Sequence, residues 1–180
     1  AIAQLAKPGS RVLQMGAGFI GCIILEALAS RKVELTVVEM GDRMVPRMMT
    51  EVAGGMIKKW VQEKGVQVYT DTKVEAITKS GSGLAVKLSN DKSIEVDLVI
   101  SATGVRPNIT YAKTSGLDLN TGILVNNLMQ TSHPDIYAAG DVTESIDFST
   151  GERIVNAIQP NAAEQARIAA ISMTAVSYTH

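Results

Sequence analysis

Apolar positions along this chain follow two regimes. Up to about residue 70, short apolar runs are separated by stretches of helical spacing. AIAQLAKPGS reads as the tail of a helix closed by a Pro-Gly-Ser break. RVLQM is a short apolar strand. Ile20, Ile24, Leu25 and Leu28 then recur at helical spacing, which predicts a helix. VELTVVE is a second strand ending at Glu39, and the loop MGDRMVPR follows. Thr50 has the chemistry to cap a helix running to about Lys64. Gly54 and Gly55 weaken that helix and Gly65 stops it. Its methionines and Trp60 read as core or adaptable packing. VQVYT is the third strand.

The period then shortens. VEAITKS, GLAVKLS and SIEVDLVISAT alternate or run apolar in short pieces, with the turn sequences SGSG and SNDKS between them. This predicts a small antiparallel meander leading into a buried strand, DLVISA. GVRPN breaks the chain, and a loop-rich segment runs to about Leu119. GILVN is strand-like, and TSHPDIYAAGDV reads as an apolar strand ending in Gly-Asp. SIDFSTGERI reads as an exposed connection. A last helix begins at Asn161, where Asn161 and Glu164 stand at capping-box spacing behind Pro160.

The stretch that carries the most chemistry is GAGFIG, between the first strand and the first helix. Gly16, Gly18 and Gly21 have the G-x-G-x-x-G spacing. In a dinucleotide site Gly16 allows the tight turn, Gly18 lets backbone approach a pyrophosphate, and Gly21 lets the helix pack close to the sheet. The free N–H groups and the positive helix end then face phosphate. Glycines at such a turn can also be purely structural. Here Glu39 ends the second strand about 20 residues on, where an acid that binds a ribose is expected.

Composition narrows the partners. The chain has 180 residues, with 17 basic and 18 acidic, so no basic field marks a nucleic-acid surface. Aromatic content is 4%, too low for base-stacking platforms. No apolar run reaches the roughly 18 residues that span a bilayer, and the first residues lack the pattern of a signal peptide. The single cysteine, Cys22, excludes an internal disulfide and reads as packing against the sheet. These features fit a reducing, cytoplasmic setting. No metal-ligand set is evident. His133 precedes a proline in a turn and His180 is terminal, so both read as surface residues.

Four motifs in order now resemble a family. GAGFIG, VVE, DLVISATGVRPN and TSHPDIYAAGDV, followed by the alanine-rich helix with Gln165 and Arg167, resemble the FAD-dependent pyridine nucleotide-disulfide oxidoreductases. The likeness is greatest to the branch of NADH oxidases, rubredoxin and ferredoxin reductases and nitrite reductase-like flavoproteins. It covers about residues 11–173. It implies an α/β fold: a Rossmann-like NAD-binding domain with an antiparallel β-meander, plus the C-terminal half of an FAD-binding domain. Residues 1–10 would be a linker from an N-terminal FAD-domain half, 11–104 the NAD(P)-binding domain, 105–175 the C-terminal part of the FAD domain, and 176–180 a tail.

The resemblance also implies site residues. Gly16, Ala17, Gly18, Phe19, Ile20 and Gly21 would hold the NAD(H) pyrophosphate. Glu39, Met40 and Arg43 would meet the adenosine end, and Thr103 and Gly104 lie at the return crossing. Gly140 and Asp141 resemble the turn and acid that meet the FAD ribityl chain. Glu39 should favour NADH over NADPH, whereas Arg43 could attract a 2′-phosphate. Many members carry Glu at the position of Ile23, so no role of that Glu transfers. The chemistry implied is hydride transfer from NADH to FAD and onward to an electron acceptor, protein or small molecule. The cofactors supply that reactivity, so no acid–base residue is assigned. The FAD pyrophosphate turn and any redox cysteines would lie in the remainder of the flavoprotein, which is the other expected partner. Two other readings stay open: a non-catalytic NAD(H)-binding or sensing module, and, weakest, a flavin-free dehydrogenase, for which no Ser-Tyr-Lys set stands at catalytic spacing and no His-acid pair suggests itself.

Overall fold

The computed structural model describes residues 2–174; the expected tail and His180 lie outside them. The chain divides into two compact units, the first ending at Gly104 and the second starting at Val105.

In the first unit a short helix, α1 (Ile2–Leu5), leads to β1 (Arg11–Met15), α2 (Phe19–Ala29), β2 (Glu34–Val38), α3 (Glu51–Glu63) and β3 (Gln67–Tyr69). A meander of β4 (Val74–Ser80), β5 (Gly83–Leu88) and β6 (Ser93–Val96) follows, then β7 (Leu98–Ser101). The parallel sheet has the order β3-β2-β1-β7. Helical crossovers return the chain to the same sheet end, which makes neighbouring strands parallel. Alternation along β1 feeds two cores. Val12 joins Leu25, Leu28 and Val61 on the helix face, and Leu13 joins Val86, Leu88 and Val96 beneath the antiparallel meander. With both faces covered, the strands read as nearly continuous apolar runs.

The chain leaves the meander for the parallel sheet at Asp97. Its carboxylate accepts the Arg11 backbone N–H at 2.8 Å and pairs with the Arg11 guanidinium at 2.7 Å. These bonds, the guanidinium first, hold the Asp97 carboxyl below its ordinary range.

The helix expected from the spacing of Ile20, Ile24, Leu25 and Leu28 is α2; its buried stripe is Gly21, Leu25 and Leu28, at i, i+4 and i+7, and Ile20 is 60% exposed. One expectation about packing is corrected. Trp60 and most methionines are not core: Trp60, Met56, Met48 and Met40 are exposed, and Met44 is fully buried. The inner stripe of α3 is taken by Gly54, Ile57 and Val61 instead. Thr50 does cap α3, accepting the Ala53 N–H at 3.3 Å. Gly54 has a packing reason: a Cβ there would stand 2.6 Å from the Met44 carbonyl oxygen, so α3 lies directly on the loop after β2.

The second unit has a 3-10 turn at Thr110–Ala112, β8 (Ile123–Leu124), β9 (Thr143–Ile146), β10 (Arg153–Ile154) and α4 (Gln159–Met173). Its sheet has the order β10-β9-β8, and Val125, Met129 and Ala169 form its core. Three expectations fail here. TSHPDIYAAGDV is no strand: the segment turns back on itself, with Thr131 N–H donating to the Ile136 carbonyl and Ala138 N–H to that of Met129. SIDFSTGERI is a hairpin rather than a plain connection, since Ile146 and Ser145 pair with Arg153 and Ile154. Finally, α4 starts at Gln159, and no capping box forms. Pro160 in the first turn, with its fixed φ, starts the helix two residues early. Asn161 Nδ2 donates instead to the Asn156 carbonyl, and Glu164 pairs with Arg167 at 2.6 Å.

A buried carboxylate organises this unit. Glu144 is 3% exposed and accepts from Asn120 Nδ2 at 2.9 Å, Thr121 N–H at 2.8 Å and Gly122 N–H at 3.0 Å. Burial opposes its ionisation. The three donors, with the Arg153 charge, outweigh that and hold the carboxyl below its usual range.

Candidate functional site

The glycine turn joins β1 to α2, and its first two residues are fully engaged. Gly16 has φ +95°, which an L side chain rarely adopts, and a Cβ on it would run into the Ala102 carbonyl at the end of β7. Its N–H donates to Val38 at 2.7 Å, and its carbonyl accepts from Gln14 Nε2 at 2.8 Å. Ala17 N–H donates to Glu39 Oε2 at 2.7 Å, and its carbonyl accepts the Val45 N–H at 2.8 Å. Val45 reaches that bond with φ +51°, uncommon for a β-branched residue, at the cost of some local strain. The loop after β2 therefore grips Ala17 from both sides.

The next residues are the opposite. Gly18 is the N-cap of α2, with no capping side chain. Among the described residues, the N–H groups of Gly18, Phe19, Ile20 and Gly21 meet no acceptor. A Cβ at Gly18 would meet nothing within 4 Å, so the approach to these donors is open. At Gly21 a Cβ would stand 2.6 Å from the Gly16 carbonyl oxygen, so this glycine is what lets helix and turn touch. Four unspent N–H groups and the positive end of an eleven-residue helix give this turn the chemistry to accept an anion.

Glu39 stands directly after β2. Besides Ala17, its other oxygen accepts the Gly41 N–H at 2.8 Å. A carboxylate has about four acceptor positions, so two remain for hydroxyl donors. Met40 beside it is 64% exposed. Arg43 belongs to the same loop, but its donors are engaged there: Asp42 at 2.7 Å, the Met49 carbonyl at 3.0 Å and the Pro46 carbonyl at 3.4 Å. Thr103 and exposed Gly104 follow β7, next to Gly16, and Thr103 Oγ1 lies 3.3 Å from Ser101 Oγ. The first unit thus gathers the 16–21 turn, Glu39 and Thr103 at one end of its parallel sheet, where ligands of such sheets bind.

Cys22 is half-buried beneath the turn. Burial, and then the Glu39 charge, push its thiol up, so it is not an activated nucleophile.

Gly140 and Asp141 lie in the second unit. Gly140 has φ +85°, and its N–H donates to Gln165 Oε1 at 2.7 Å; Thr143 Oγ1 donates to the same oxygen at 3.0 Å. Gln165 of α4 thereby fixes the turn that presents Asp141. The Asp141 side chain is exposed, and none of the described residues donates a hydrogen bond to it.

Sequence reasoning missed Gln14, which is fully buried in an otherwise apolar strand. An amide two residues before the first glycine of the turn was the available signal. Glu144, four residues after Gly140, was also missed. Among the described residues no cluster of three or more metal-ligating side chains occurs, and no helix is long and apolar enough to cross a membrane.

Comparison with known proteins places this geometry. The sequence model described as "Pyridine nucleotide-disulphide oxidoreductase" matches residues 1–166. The chain is 36% identical over 167 residues to an NADH oxidase of Methanocaldococcus jannaschii, covering 92% of this chain and 37% of that one. It is 36% identical over 144 residues to a rubredoxin-NAD(+) reductase of Acinetobacter baylyi, covering 78% of this chain and 37% of the relative. The fold superposes on the water-forming NADH oxidase of Lactobacillus brevis bound to NADH with a TM-score of 0.89 at 28% identity, over 96% of this chain and 38% of that one. The chain therefore spans about 37% of the length of the curated relatives it matches. On the sequence match and the shared fold, the chain belongs to the pyridine nucleotide-disulphide oxidoreductase family.

Proposed function

We propose that this chain is the nucleotide-binding portion of an FAD-dependent NAD(P)H oxidoreductase. Residues 11–104 hold NAD(H), with NADH preferred, and residues 105–175 contribute to an FAD site that the remainder of the flavoprotein completes. The observation that carries this reading is the uncapped N-terminus of α2, open at Gly18, beside a Glu39 carboxylate with acceptor capacity to spare. The backbone of 16–21 binds the pyrophosphate. Glu39 accepts the adenosine ribose hydroxyls, Met40 flanks the adenine, and Thr103 and Gly104 border the turn from β7. The Arg43 guanidinium, engaged by Asp42 and two carbonyls, offers little to a 2′-phosphate, and Glu39 repels one.

In the second unit Asp141 has the chemistry to accept ribityl hydroxyls, and Gly140 and Gln165 fix its direction. FAD, when bound, supplies the redox chemistry; the chain's own groups bind and orient. The acceptor class is open to small redox proteins and small molecules, and the rubredoxin reductase among the relatives supports the former. The test is a pair of fluorescence titrations of the purified chain, one with NADH and one with NADPH. Tighter binding of NADH supports the reading, and equal affinities contradict it.

A further inference from the structure

We infer that Gln14 is a positioning residue for the dinucleotide site, setting the direction of both the glycine-turn amides and the Glu39 carboxylate. The inference rests on the NAD(H) reading above. Gln14 lies on β1 with its side chain toward α2 and is fully buried, in a strand whose neighbours Val12 and Leu13 are apolar. Its Nε2 donates to the Gly16 carbonyl at 2.8 Å and to the Gly21 carbonyl at 2.9 Å. One amide thus ties the turn to the first turn of the helix.

The Gly16 carbonyl belongs to the same peptide plane as the Ala17 N–H. That N–H donates to Glu39 Oε2 at 2.7 Å. The plane is held at its oxygen by Gln14 and at its nitrogen by Glu39, and a peptide is rigid. Rotating it would swing the carboxylate and re-aim the Gly18 N–H that follows. A preorganised turn binds without the cost of ordering it, so loosening the plane should show as lost affinity.

The other half of the amide indicates that this is not simply core packing. Gln14 Oε1 is buried with no partner. An apolar side chain of equal size would avoid that orphan, but it would leave the Gly16 carbonyl unpartnered in turn. The Gly21 carbonyl keeps its place in the helix ladder. Gln14→Met, unbranched and of similar volume, exchanges one orphan for another, so stability should change little while the turn loosens.

The experiment uses the whole chain in four forms: wild type, Gln14→Met, Glu39→Ala and the double variant. Thermal unfolding, NADH affinity and exchange of the Ala17 amide without ligand are measured on each. Gln14→Met should keep its Tm within about 4 °C of wild type. It should weaken NADH binding roughly five- to ten-fold and speed Ala17 amide exchange roughly ten-fold. The double variant should bind NADH within about three-fold of Glu39→Ala, because both groups act on one peptide. Unchanged affinity and exchange in Gln14→Met, or losses that multiply in the double variant, would overturn the inference. If wild type fails to bind NADH, the dinucleotide reading falls, and Ala17 exchange alone then decides the role of Gln14.

Discussion

Glu39 Oε2 and the Ala17 N–H, 22 residues apart in sequence, are joined by a 2.7 Å hydrogen bond. The bond ties the residue after β2 to the middle of the turn after β1. It fixes the carboxylate beside the open helix end while leaving part of its acceptor capacity unused.

Removing that carboxylate should cost affinity and selectivity together. A hydrogen bond to a charged group contributes about 1.5–3 kcal/mol. Glu39→Ala should therefore weaken NADH binding about ten-fold or more, and NADPH binding less. Titration of the variant with both nucleotides checks this; an unchanged ratio of the two affinities would show that Glu39 does not read the ribose.

Two adjacent glycines of α3 should respond in opposite directions to alanine. Gly55 is exposed and a Cβ there meets nothing within 4 Å, so Gly55→Ala should stabilise by up to about 1 kcal/mol through helix propensity. At Gly54 the same change puts a Cβ 2.6 Å from the Met44 carbonyl oxygen. That overpacking costs about 1–3 kcal/mol and should outweigh the propensity gain. Thermal melts decide, and a stabilised Gly54→Ala would mean that α3 does not lie on the loop as described.

The second unit should be acid-sensitive through Glu144. Its folded carboxyl titrates below the ordinary glutamate value of about 4.3. Its contribution is thus fully present above that value and is lost as pH falls through the folded one. Glu144→Gln should destabilise by about 1–3 kcal/mol at pH 7. Part of the acid-induced loss seen in wild type should disappear in the variant. Parallel pH–Tm curves for the two proteins would contradict the assignment.

Flavin retention is a separate expectation. The sequence holds one G-x-G-x-x-G turn, and in the proposed function NAD(H) occupies it. In the proposed function Asp141 and its neighbours would meet only part of an FAD. After incubation with excess FAD and desalting, the purified chain should be colourless. Stoichiometric visible absorbance would show that the second unit binds FAD without a second turn.

Much of the first unit was legible because its signals are local. The short apolar run RVLQM, the Thr50 cap and the two-residue period of the meander each act within a few residues. What was illegible depends on partners far along the chain. Gln14 looks like a flaw in an apolar strand until the carbonyls of Gly16 and Gly21 fold over it. Arg43 looked free to meet a phosphate until the loop brought Asp42 and two carbonyls to it. In the second unit, TSHPDIYAAGDV has strand composition, but a strand needs a ladder. Among the described residues it makes one bridge, Gln130 with Tyr137. Asn161 and Glu164 had capping-box spacing, yet Pro160 moved the helix start ahead of them.

If the open helix end at Gly18 is the pyrophosphate site, blocking it should abolish NADH binding, which calorimetric titration of NADH into wild type and Gly18→Val measures. A valine there meets no protein atom near its Cβ, so the variant should fold with a Tm close to wild type while filling the approach to the α2 amides. Wild type should bind NADH, and Gly18→Val should show no detectable binding. Equal NADH affinity in the two proteins would contradict it.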